Sequence, residues 1–199
     1  MRRSALLTAL LTAAILAAPS VAAAHIVKGE AIGFVSGFEH PLSGLDHIIA
    51  MVAVGLWGAQ LGAPAIWLLP VTFPLVMAFG GFLGLIGVPL PGDEIGIALS
   101  GVCLGAVVLL QARPPLWAAA ALVGFFGLCH GYAHGHELPP GQNALLYSAG
   151  FVLATGLLHA AGITLGLAYR WRWGQVAVRG VGALILGGGA YFLWAAVAA

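Results

Sequence analysis

Six long apolar runs, at about 41–60, 64–88, 95–112, 115–135, 144–168 and 176–198, leave this chain few ways to fold. Each approaches the roughly 20 residues that a helix needs to cross the hydrocarbon core of a bilayer, the third being the shortest. None shows the strict alternation of a membrane barrel strand, and lipid leaves no backbone group unpaired, so helices are the expected secondary structure. Composition agrees: 61% of the residues are hydrophobic and 7% charged, with a mean hydropathy of +1.05, which excludes an ordinary soluble domain. The connections "LGAP", "PLPGDEIG", "QARPP", "HELPPGQN" and "RWRWGQ" are short and rich in turn formers. The expected architecture is therefore all-α, a polytopic membrane bundle of about six transmembrane helices forming a single domain over residues 25–199. Thirty glycines suit close helix packing in lipid. With a net charge of +1, Lys28 as sole lysine and no basic tract, the chain offers nothing to a nucleic acid.

The segment before the first run reads as a targeting sequence. Arg2 and Arg3 precede a short apolar stretch that ends in Ala22, Ala23 and Ala24, the order of a secretory signal peptide covering residues 1–24. Cleavage there would make His25 the mature N-terminus, whose amine and imidazole together can grip a metal ion. A cleaved signal puts that terminus on the periplasmic side of a bacterial inner membrane. After six crossings the connections carrying Arg113, Arg170 and Arg172 then lie inside, while those carrying Asp93, Glu94 and Glu137 lie outside. The positive-inside rule gives the same orientation independently.

Against this background, the ionisable residues within the spans stand out. An ionisable side chain at mid-bilayer costs roughly 2.5–3.5 kcal/mol, so its presence is a functional hypothesis by default. In "EHPLSGLDHIIAMVAVGLWG" Pro41 suits the first helical position, which leaves His40 just outside the helix with Asp46 and His47 in its first turns. His40 and His47, seven residues apart on one straight helix, would sit about 10 Å apart along the axis, better placed to relay an ion than to chelate it together. In "GFFGLCHGYAHGHELPPG", His130, His134 and Glu137 follow at spacings of four and three and share a helical face. The topology brings both clusters to the same side at matching depths. Imidazole nitrogens with carboxylate oxygens are the donors that a borderline divalent transition metal takes, whereas magnesium prefers carboxylates and water.

Further positions carry two readings each. Glu94 either completes the mouth of the site or is an acid favoured at a helix N-terminus. His136 is a mouth residue of open use. His159 is either an inner way-station, some 22 Å from the outer end of the fifth span, or a hydrogen-bonded packing histidine. Pro70 and Pro74 would kink or open the second span, and Gly80, Gly81 and Gly84 would admit a close neighbour.

The stretches "HPLSGLDHIIAMVAVG" and "FFGLCHGYAHGHE", with "EIGIALS" and "GLLHAAG" in later spans, resemble the motifs of the HupE/UreJ family of nickel and cobalt permeases. The similarity covers essentially the mature chain. It implies a membrane protein that brings nickel, or in some members cobalt, across the inner membrane, often for hydrogenase or urease maturation. By position it implies His40, Asp46, His47, His134 and Glu137 as metal-handling residues, with His130 and Glu94 beside them. His136 before the glutamate has no assigned role in that pattern.

Two mechanisms follow. In the first the protein is a secondary permease for Ni(II) or Co(II), with no permanently bound cofactor and, lacking a GxxxxGK[ST] loop, no ATP motor of its own. Its partners are the ion and the lipid bilayer, a homo-oligomer being compatible with the sequence. In the second the same histidines and Asp46 hold zinc in an intramembrane hydrolase, against which stands the spread of the ligands over two layers. A copper-handling site built on His25 is a third, weaker option.

Overall fold

A computed structural model describes residues 33–138 and 143–198. The expected signal peptide and His25 lie outside the described residues. The described chain is helical: α1 Gly33–Ser43, α2 Leu45–Leu61, α3 Ala65–Leu85, α4 Asp93–Leu110, α5 Leu116–His136, α6 Ala144–Gly166 with a 3₁₀ turn at Leu167–Arg170, and α7 Arg172–Ala198. Helices α3 to α7 are long and apolar enough to cross a membrane, and α1 with α2 makes a sixth, broken element. The expected set of about six spans is thus borne out, and the helix bounds fall close to the apolar runs.

The first span departs from expectation. Helix α1 begins well before Pro41 and runs through it to Ser43, so His40 is helical rather than outside the helix. The break comes at Gly44, where α1 and α2 meet at 82°. Gly44 has ordinary extended dihedrals, φ −100° and ψ 118°, so its glycine identity answers to space rather than to backbone freedom. A Cβ there would collide with Asp46 Oδ1 and His47 Nδ1. In the second span α3 runs through both Pro70 and Pro74 without a break.

Helix α2 is the central element. Ala50, Ala53, Val54, Leu56 and Trp57 are fully buried, and the helix packs against α3, α4, α6 and α7. A helix apolar all round belongs inside a bundle. The most extensive pairings elsewhere are α3 with α5, α4 with α7, and α1 with α6. The α3–α5 contact is backbone to backbone: a Cβ on Gly131 would enter the Met77 carbonyl, and one on Gly80 the Leu128 carbonyl. This bears out the expected close neighbour at Gly80. Large apolar side chains such as Leu75, Phe79, Leu145 and Val176 face outward, as lipid contact requires. Trp67, Trp117, Trp171 and Trp173 lie near one end, the place an aromatic belt takes at a bilayer interface.

That same end carries the arginines. Arg113 donates to the Gln60 carbonyl at the C-terminus of α2 (3.3 Å), and Arg179 to the Leu109 carbonyl at the C-terminus of α4 (3.1 Å). Last-turn carbonyls lack helical partners and carry the negative end of the helix dipole, so a cationic donor satisfies both needs. Of the described histidines, His40, His47, His130, His134 and His136 gather toward the opposite end, and His159 does not.

Candidate metal site

The site is built outward from the start of α2. The backbone N–H of His47 donates to Asp46 Oδ1 at 2.9 Å, and His47 Nδ1 lies 2.8 Å from the same oxygen. Asp46 sits in the first helical turn, where the dipole favours a carboxylate. With its proton on Nδ1 and donated to Asp46, the His47 ring presents a lone pair at Nε2.

That nitrogen lies 2.9 Å from His134 Nε2, across from α5. Two imidazole nitrogens at this distance share one proton, His134 donating to His47. The 82° turn at Gly44 folds His40 back over the pair, its ring centroid 4.6 Å from that of His134 and 6.1 Å from that of His47. One ligand nitrogen each from His40, His47 and His134 lie within 4.8 Å of one another. His40 is therefore not a rim residue about 10 Å away, as an unbroken helix would have it. The bend converts a relay spacing into a cluster. Bonds of about 2.1 Å place cis imidazole nitrogens about 2.9–3.0 Å apart, so the His47–His134 pair already has the spacing of two adjacent ligands.

Aromatic side chains from α6 wall the cluster. Phe151 packs on His134 at 4.3 Å between centroids and on His40 at 6.1 Å, and Tyr147 lies 6.0 Å from His40. A cavity of about 310 Å³ opens beside them, lined by Met77, Gly81, His134, Tyr147 and Phe151 among others.

The remaining expected residues divide. His130 is fully buried with its ring 4.8 Å from that of His47, but its Nε2 is 3.0 Å from Ser100 Oγ. The Ser100 hydroxyl donates to the Ile97 carbonyl at 2.6 Å, so His130 is the donor in that pair and its Nε2 is committed. His130 thus stands behind the three-histidine group rather than in it. Glu94 is exposed in the first turn of α4. Glu137 is half-buried at the C-cap of α5, an end where the dipole disfavours an anion. Neither carboxylate belongs to the three-residue group. His136 is exposed and stacks on Tyr132 at 5.9 Å. His159 is buried far from the cluster, against Phe73 at 5.4 Å.

A profile of the family described as HupE / UreJ protein matches residues 13–192. The chain belongs to the HupE/UreJ family. Among its relatives is "Protein HupE" of Rhizobium leguminosarum bv. viciae, 46% identical over 182 residues, which are 92% of this chain and 95% of that protein. No solved structure matches. The chain is accordingly a multi-pass HupE/UreJ membrane protein, and the family is an accessory, transporter-type one rather than a known enzyme family.

In this HupE/UreJ chain, sequence reasoning overlooked Ser100, Phe151 and Tyr147. Ser100 had a signal, being a hydroxyl at the end of the apolar "EIGIALS". Tyr147 and Phe151 had only their spacing of four, which an ordinary core stripe also shows.

Proposed function

We propose that this protein is an inner-membrane permease importing a divalent transition metal, nickel or alternatively cobalt, for metalloenzyme maturation such as that of hydrogenase or urease. The observation that carries the reading is the convergence of His40, His47 and His134 at a membrane-buried point, with Asp46 orienting His47. Neutral nitrogens suit these ions, and a carboxylate hydrogen-bonded to a ligating imidazole raises its basicity and holds its ring.

An ion reaching His47 and His134 takes the place of the hydrogen bond between their Nε2 atoms, each neutral ring keeping its proton on Nδ1. Glu137 and Glu94, at the same end, supply the negative field that draws a dication to the mouth. With the histidine end periplasmic, as the arginine distribution favours, the potential drives import. A doubly charged ion gains roughly 4.6 kcal/mol per 100 mV, about three decades of accumulation. His130 and His159 extend the polar lining inward.

The test is radioactive nickel uptake by cells carrying Asp46→Asn or His47→Ala. Both should fall to background while the proteins remain in the membrane; uptake at the wild-type rate in both would refute the reading. The grouping of three histidines in one layer removes the objection that sequence spacing raised against a zinc hydrolase. Metal content after dialysis separates the two: stoichiometric zinc retained through purification favours the hydrolase, and an exchangeable site with micromolar affinity favours the permease.

A further inference from the structure

Beyond the three-histidine group, α6 carries a second polar position. Its inward stripe runs Tyr147, Phe151, Thr155, His159 at intervals of four, so the four share a face. The first two wall the histidine cluster; Thr155 and His159 continue the stripe one and two turns further from it. Thr155 is 0% exposed and His159 1%. Among the described residues, Thr155 Oγ1 and both ring nitrogens of His159 have no partner that meets hydrogen-bond geometry. This is unusual for a threonine in a helix, which ordinarily bonds back to a carbonyl one turn earlier. Thr164 on the same helix does so, donating to the Ala160 carbonyl at 2.8 Å.

A third polar group comes from α3. Pro74 has no N–H, so the Pro70 carbonyl lacks its helical donor. That carbonyl lies beside the His159 ring without meeting hydrogen-bond geometry. Thr155 and His159 are thus fully buried polar side chains one turn apart, with the Pro70 carbonyl beside the His159 ring, in surroundings where unsatisfied polar groups are rare. Between them and the outer cluster stands Phe73, whose ring centroid is 5.4 Å from that of His130 and 5.4 Å from that of His159.

We propose that His159, the Thr155 hydroxyl and the Pro70 carbonyl form a second, inner binding position for a divalent transition-metal cation. It rests on the transport reading and names where the ion goes after the three-histidine group. One imidazole and two neutral oxygens hold a borderline metal less tightly than three imidazoles, and conduction needs sites weak enough to release. The lone-pair donors that Pro74 and Thr155 leave unused are those that an ion shedding its water would take up.

The experiment is equilibrium dialysis of the full chain in lipid nanodiscs against cobalt(II), whose visible spectrum reports its donors. The wild type should bind two ions of unequal affinity. His159→Phe, which keeps the volume filled, should bind one, its affinity within about twofold of the tighter wild-type site. His47→Ala should also bind one, the weaker. If His159→Phe does not fold, Thr155→Val serves in its place and should weaken the second ion at least tenfold. His159→Gln, which restores a donor, should recover two ions. One ion in the wild type, or two in a folded His159→Phe, would overturn the inner position. Loss of an ion in His47→Ala but not in His159→Phe overturns it while sparing the outer site; the converse overturns the outer site and spares this one.

Discussion

At the arginine end of the bundle, Trp57 Nε1 donates to the Ala112 carbonyl and Gln60 Nε2 to the Val108 carbonyl, both at 3.0 Å, and Arg113 and Arg179 cap the ends of α2 and α4. At the histidine end, His47 faces His134, His40 lies over both, and Asp46 is hydrogen-bonded to His47. Both ends bury polar groups in apolar surroundings, and each must be compensated. The arginine end does so with donors set against carbonyls in and just beyond the last turns of α2 and α4, which is how a helix bundle closes its ends, although Gln60 Oε1 finds no partner among the described residues. The histidine end sets basic nitrogens against one another, an arrangement that a cation completes better than a shared proton does. Whether a buried polar group is structural or functional is thus legible in what it faces.

That contrast can be broken by mutation. His47→Ala removes a ligand, and nickel affinity should drop by two orders of magnitude or more with little change in thermal stability. Asp46→Asn leaves the ligands but loosens the His47 ring, and second-sphere changes of this kind cost about 10–100-fold in affinity. A loss confined to stability in either variant would put the histidine end in the same class as the arginine end.

Acidity should separate the two ends next. Protons and metal compete for the same imidazole nitrogens, so affinity falls as the pH drops. Uptake should be several-fold lower at pH 5.5 than at 7.5. The contacts of the arginine end are made by Trp57, Gln60, Arg113 and Arg179, none of which is a histidine. The smallest effect is expected at Gln60: Gln60→Leu removes a buried donor and should destabilise the protein by about 0.5–2 kcal/mol, leaving metal affinity unchanged. Chemical denaturation beside metal titration of the same preparation checks both halves of that statement.

Much of the architecture was legible from the chain alone, because an apolar run of bilayer length can do little else than span. The chemistry of the site was legible too, in "LDHIIA" and "HGYAH", because ionisable residues in such runs are costly enough to be informative. The hidden part was the bend. Counting residues along an unbroken helix puts His40 a full two turns from His47, and only the 82° break at Gly44 brings them together. Sequence marks that position with a glycine, yet the glycine is needed for the space that the Asp46–His47 bond occupies, which no local rule foretells. The partners of His130 and Trp57 were hidden for a similar reason: each depends on which helix lies opposite, and in lipid the apolar faces of these helices look alike.

In the proposed site His40, His47 and His134 act as one ligand set rather than as successive stations. X-ray absorption of the purified protein loaded with one equivalent of nickel tests it most directly. The first shell should contain three imidazoles at about 2.1 Å, reduced to two in His40→Ala. A wild-type shell with a single imidazole, or a shell that His40→Ala leaves unchanged, would contradict it.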